Sequence, residues 1–229
     1  MERNFLRTCV KRKTLAVMLK MRHIAILIIL LSFLTPCSGQ TSTNTTKFKK
    51  EIPTWKNGEE DLFYKLTQQK VKQLKIDSLQ SGYDSLQIRI WYDYSLMTLR
   101  KLLVIKRTNN TWTATSYTMT VDWNASDLTE IVKAKKIEIL NPKNGWSSFL
   151  NKLFFLQITT LPNMDNIPGL QDGWTDGISY NVEVATKKQY RFYGYHLPDK
   201  FQDKYWQAKN MVKILKLVEI ELGITSGIR

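Results

Sequence analysis

The chain has 229 residues, with 34 Lys/Arg against 20 Asp/Glu and a formal net charge of +14. Setting aside the seven Lys/Arg and one acid of residues 1–39 leaves 27 basic and 19 acidic side chains, a net of +8. That is too dilute for the concentrated basic face of a nucleic-acid binder. Both cysteines, Cys9 and Cys37, fall in the same 39 residues, so the rest of the chain has no disulfide, no thiol chemistry and no Cys/His metal set.

Lys20, Arg22 and His23 precede an apolar run, Ile24 to Leu34. The run is shorter than the roughly 20 residues that span a bilayer. A basic segment, a short apolar segment and small residues after it make a secretory signal over residues 1–39. Cys37 and Gly39 then stand at −3 and −1 of a cleavage before Gln40. A second reading takes Leu34-Thr35-Pro36-Cys37 as a lipoprotein signal, with Cys37 lipidated. Residues 1–17 are surplus to a leader that starts at Met18 or Met21. The leader resembles those of exported proteins of Bacteroidetes-type bacteria, where a glutamine commonly follows the cleavage point. That resemblance implies a periplasmic, envelope or extracellular protein and carries no activity. Export without disulfides fits a bacterial envelope better than an animal extracellular space. The sequons at Asn44, Asn109 and Asn124 have meaning only in a eukaryotic pathway. Residues 40–54 read as a flexible tether, and 55–229 as a single domain.

Within that domain, Glu59 to Ile76 reads as a helix, acidic at its start and lysine-rich near its end, as the helix dipole prefers. Leu86, Ile88, Ile90, Tyr92 and Tyr94 alternate with Gln87, Arg89, Trp91 and Asp93, the pattern of a strand. Leu99 to Arg107 and Thr111 to Val121 form a hairpin around Asn109-Asn110, which tolerates the positive φ of a type I′ turn. That register sets Arg107 against Trp112, within reach of a cation–π contact. Ile131 to Leu140 reads as a further strand, a short helix starts near Asn144, and Leu156 to Leu161 reads as extended. Ile178 to Ala185 and Gln189 to His196 form the last hairpin. A three-residue loop, Thr186 to Lys188, is expected, because it pairs Val182 with Phe192 on the dry face and Glu183 with Arg191 on the wet one. Asp199 is then the N-cap of a helix that ends at Gly223. Its stripe is Phe201, Tyr205, Ala208, Val212, Leu215 and Leu222, lying over Val182 and Phe192. Hairpins with helices at the breaks predict an α+β fold. The expected architecture is an antiparallel sheet covered by two or three helices, the C-terminal one packed on the last hairpin.

No catalytic constellation is recognisable. Outside the leader His196 is the only histidine, at a strand end on the apolar side, and is read as structural. An enzyme would have to use His196 with Asp172 or Asp176. Asp165, Asp172 and Asp176 lack calcium-loop spacing, so no metal or cofactor is expected. Asp172, Asp176 and Glu183 could supply a carboxylate pair only as any chain of this length could. The aromatics point elsewhere. Trp91 beside Arg89, and Tyr193 and Tyr195 beside Arg191, fall where the pattern turns outward, which suits carbohydrate or peptide binding. The expected function is a non-enzymatic binding or structural module of the envelope. Its partner is a protein or an envelope polymer, with no nucleic acid, and with membrane contact only through Cys37. The alternatives are a glycan-binding domain and an enzyme.

Overall fold

β-Branched and aromatic residues alternating over Leu86–Tyr94 form strand β2, the central strand of a seven-stranded sheet. The computed structural model describes residues 47–225, other than 56, 96, 125, 127, 128 and 171–175. The expected leader with Cys37, Asp172 and the first part of the expected tether lie outside the described residues. In chain order the other strands are β1 (Lys49–Glu51), β3 (Leu99–Thr108), β4 (Thr111–Asn124), β5 (Thr129–Leu140), β6 (Ile178–Thr186) and β7 (Gln189–His196). The helices are α1 (Leu62–Leu74), α2 (Gly145–Phe155) and α3 (Trp206–Leu222). The sheet order is β1-β7-β6-β2-β3-β4-β5. Every pairing is antiparallel except β1 with β7, so the α+β class holds with a mixed sheet. Strand β1 lies inside the stretch expected to be a tether, and Glu51 pairs with Arg191.

The β3–β4 hairpin is as expected. Asn109 and Asn110 have φ of 48° and 63°, and Arg107 is opposite Trp112. Arg107 donates to Asn110 Oδ1 at 2.8 Å, while Trp112 stacks on Trp146 of α2, ring centroids 6.3 Å apart.

The last hairpin differs from expectation. Its loop is the two residues Lys187-Lys188, so Val184 is opposite Arg191, Glu183 opposite Phe192, and Val182 opposite Tyr193. The register with three loop residues assumed one wet face. Neither face is wet, and no face penalty selects against the shorter loop. Val182, Tyr180, Tyr193 and Tyr195 point to one side with Ile88, Ile90 and Tyr92. Ala185, Tyr190 and Phe192 point to the other. Phe192 therefore packs edge-on against Tyr64 of α1 at 5.3 Å, and not beneath the C-terminal helix.

The first side is covered by α2 and α3. Phe149 and Leu153 from α2 meet Met211, Ile214 and Val218 from α3 over the central strands. This stripe is rotated from the expected one: Ala208, Leu215 and Leu222 are buried, but Val212 is only half-buried. Helix α3 also starts later than Asp199. Pro198–Lys200 is a single 3-10 turn, and the α-helix begins at Trp206 after Tyr205. Gly223 ends it with φ of 75°, the left-handed cap expected there. Leu156 to Thr160 is a series of turns and not extended, with Gln157 at φ 63°.

Helped by Leu79 and Tyr83 of the segment after it and by Phe48, helix α1 covers the second side. Asp61 caps it, its Oδ1 accepting from the Tyr64 N–H at 3.0 Å, and Lys75 ends it at φ 55°. Its inward face is mixed: Tyr64, Leu66, Val71 and Leu74 are buried, and so are Thr67 and Lys70.

Candidate functional site: the cleft beside helix α1

The alternation of β2 sends Arg89, Trp91 and Asp93 toward α1, beside Ser179, Asn181 and Glu183 from β6. Arg100 from β3 and Glu130 from β5 face the same way. All eight are buried, with Glu183 fully inaccessible. Ionised groups at such depth persist only when paired and hydrogen-bonded. Here they form two adjoining networks.

The first is centred on Glu183. It accepts from Trp91 Nε1 and Tyr190 Oη at 2.9 Å each and from Gln68 Nε2 at 3.2 Å, and Arg89 lies 3.5 Å away. Arg89 also donates to the Asp77 carbonyl at 2.6 Å. Burial and the neighbouring Glu183 carboxylate push the Tyr190 hydroxyl far above its ordinary range, so it stays a donor.

The second is a quartet of two cations and two carboxylates. Lys70 Nζ is 2.5 Å from Asp93 Oδ1 and 3.2 Å from Glu130 Oε2. Arg100 Nε donates to Glu130 Oε1 at 2.9 Å and lies 3.5 Å from Asp93. Asn181 Nδ2 holds the other Asp93 oxygen at 3.0 Å. Arg100 Nη1 is claimed by the carbonyls of Tyr94, Met97 and Leu99. Gly194 clears the space for Asn181, since a Cβ there would meet Asn181 Oδ1 at 2.7 Å.

The quartet forms part of the floor of a cleft of about 600 Å³. Leu62, Phe63 and Leu66 of α1 form one wall, and Met97, Val121 and Trp123 the other. Trp123 is 52% exposed. Ser179 also lines the cleft, and its Oγ is 2.9 Å from His196 Nδ1. The His196 backbone N–H points at Met164 Sδ, 3.2 Å away.

The residues expected to form an exposed aromatic strip do not form one. Trp91, Tyr193 and Tyr195 are each at most 1% exposed, and Arg89 is buried with them. Trp91 points toward α1 while Tyr193 and Tyr195 point to the opposite side of the sheet, because the hairpin register differs by one residue from the expected one, and a second layer covers each side. Tyr193 lies under the segment after α2 and donates to the Ile158 carbonyl at 2.5 Å. Arg191 is tied down by Glu51 and by the carbonyls of Thr159 and Leu161, with Tyr193 beneath its guanidinium at 5.7 Å. Asp165 and Asp176 are exposed. Among the described residues no group of three or more His, Cys, Asp or Glu side chains is placed to hold a metal ion. Lys70, Arg100, Glu130 and Trp123 were missed as site residues. The available signal was charge at inward positions of strands and helix: Arg100 alternates with Lys101, and Lys70 shares a helix face with Leu66 and Leu74.

No protein-family model, curated protein or solved structure matches this chain.

Proposed function

We propose that the chain is an exported, non-catalytic binding module of the cell envelope, and that the cleft beside α1 takes an uncharged polyhydroxylated ligand such as a glycan segment. Export is supported by the leader's basic, apolar and small-residue succession. The observation that carries the ligand class is the quartet. Two cations and two carboxylates in mutual contact leave no net charge to select an ion. Most of their bonding capacity is spent on one another, and the edges of donors and acceptors that do line the cleft lie side by side, which is what hydroxyl groups need. Above them stands Trp123, a flat apolar surface suited to the face of a sugar ring. A volume near 600 Å³ is in the range of small-ligand sites, and apolar walls with a few polar groups are their usual lining. The test is titration calorimetry against a panel of neutral and anionic oligosaccharides. Neutral members should bind, and Trp123→Ala should weaken them up to about tenfold through loss of the aromatic contact while leaving the melting temperature unchanged. A preference for anionic members, or Trp123→Ala binding as well as the parent, would contradict the proposal.

A hydrolytic reading has one specific observation in its favour, the 2.9 Å contact of Ser179 Oγ with His196 Nδ1 at the cleft wall. A serine beside an imidazole is the start of a nucleophilic pair. Ser179 is 5% exposed and sits within a strand, which leaves a substrate little approach to its Oγ. An organophosphonate probe separates the two readings: labelling of Ser179, lost in His196→Ala, supports hydrolysis, and no labelling supports binding alone.

A further inference from the structure

Large apolar side chains are exposed in two main places on the described surface: along β5, where Ile137 and Ile139 are 50% and 81% exposed, and on the outward side of α2 and α3. Phe155, the last residue of α2, is 84% exposed, and Phe154 beside it is 38% exposed. Between the two helices runs a groove of about 560 Å³ lined by Leu156, Leu217 and Ile220, with Ile220 49% exposed. Its rim carries Lys152, Lys213 and Lys216. Lys209, Lys213, Lys216 and Ile220 are spaced four, three and four residues apart, so one stripe of α3 presents them together. Trp206, 52% exposed, stands on that stripe one turn before Lys209–Lys213. Two rim lysines have carboxylate neighbours, Lys216 with Glu219 at 2.8 Å and Lys152 with the buried Glu221 at 3.8 Å, and with Lys209 and Lys213 the stripe still keeps a net positive charge.

An exposed aromatic side chain at a helix end, beside an apolar groove, marks an interaction surface. Its lysine rim decides the sign of the partner. We infer that this face docks on an anionic lipid bilayer, with Phe155 and Ile220 entering the headgroup region and the three lysines meeting lipid phosphates. A bilayer fits better than a protein because Phe155, which lines the groove at its edge, is still 84% exposed and projects beyond it, next to a rim of lysines. A protruding ring needs a yielding surface, and interfacial helices combine bulky apolar residues with lysine in this way. The proposal goes beyond the cleft reading and does not depend on it.

Vesicle sedimentation tests it, with phosphatidylcholine alone and phosphatidylcholine mixed with phosphatidylglycerol. The full chain and its variants carry the same leader, which therefore cancels from the comparison. The parent should bind the mixed vesicles and lose binding as salt rises. Neutralising one lysine should weaken binding roughly fivefold, and Lys152→Gln/Lys213→Gln/Lys216→Gln about a hundredfold. Phe155→Ser should weaken it about tenfold or more. These side chains are exposed, so a circular-dichroism melt should match the parent in each case. Equal binding of parent and variants to mixed vesicles would overturn the assignment. So would concentration-dependent dimers in ultracentrifugation that Phe155→Ser abolishes without any change in vesicle binding, because a second copy would then be what covers the face.

Discussion

The two sides of the sheet solve burial differently. Toward α2 and α3 the strands send Ile88, Ile90, Val182 and Val184, which the helices cover with Phe149, Met211 and Ile214. Toward α1 the same strands send Arg89, Asp93, Asn181 and Glu183, closed against one another before helix α1 and the segment after it cover them. An apolar layer is non-directional and tolerates small changes in shape. A buried charge layer is directional, and each member depends on its partners. The lesson is that period-two alternation marks which residues share a side, while polarity alone does not show which side faces water.

Glu183→Ala should have the largest effect that distinguishes the layers. It leaves Arg89 buried beside no carboxylate and removes the acceptor for Trp91 and Tyr190. The expected loss is about 3–5 kcal/mol in urea unfolding. A loss under about 1 kcal/mol would mean that the charge layer is not closed as described. On the apolar side Ile90→Val removes one methyl group from a fully buried position and should cost about 0.5–1.5 kcal/mol. A cost equal to that of Glu183→Ala would erase the contrast.

The smallest effect is a pH dependence from carboxylates outside the charge layer. Burial raises the Glu51 carboxyl, but hydrogen bonds from Lys49 and Arg191 outweigh it and hold it below its ordinary 4.5. Glu221 is held below 4.5 by the Asn144 side chain and backbone N–H, which donate at 2.9 Å each. Both shifts are downward, so their stabilisation is present above pH 4.5 and is lost as pH falls through the folded-state values. Asp61 has the opposite sign. Burial raises its carboxyl above 3.8, so its contribution is full below that value and is lost as pH rises. Melting temperatures read from pH 7 to pH 3 should therefore fall at the acid end. Glu51→Gln/Glu221→Gln should melt lower at pH 7 and fall less steeply, and Asp61→Asn should fall more steeply. Parallel curves for all three would show that other groups set the acid limb.

Much of the element order was legible in the sequence, for physical reasons. Leu86 to Tyr94 is a long alternating run, Asn109-Asn110 supplies two residues that accept positive φ, and Gly223 stops a helix. Less legible were features that depend on what lies above a strand. Glu183 and Arg191 looked like a wet cross-strand pair. In the fold Glu183 is sealed under α1, and Arg191 points to the other side of the sheet. The short parallel strand Lys49–Glu51 was hidden in a polar stretch, because its pairing partner is 140 residues distant. The cleft was illegible for the same reason. Lys70, Asp93, Arg100 and Glu130 come from four separate elements, and only the sheet order brings them together.

The most direct measurement is the unfolding free energy of Glu130→Gln in urea at neutral pH. If the quartet is a structural closure, removing one of its two carboxylates leaves Lys70 and Arg100 sharing Asp93 alone, and stability should fall by about 3 kcal/mol. Charges held in place for catalysis behave in the opposite way, since relieving them stabilises the fold at the expense of activity. Stability equal to or above that of the parent would contradict the structural role of the quartet and identify the cleft as a reactive site.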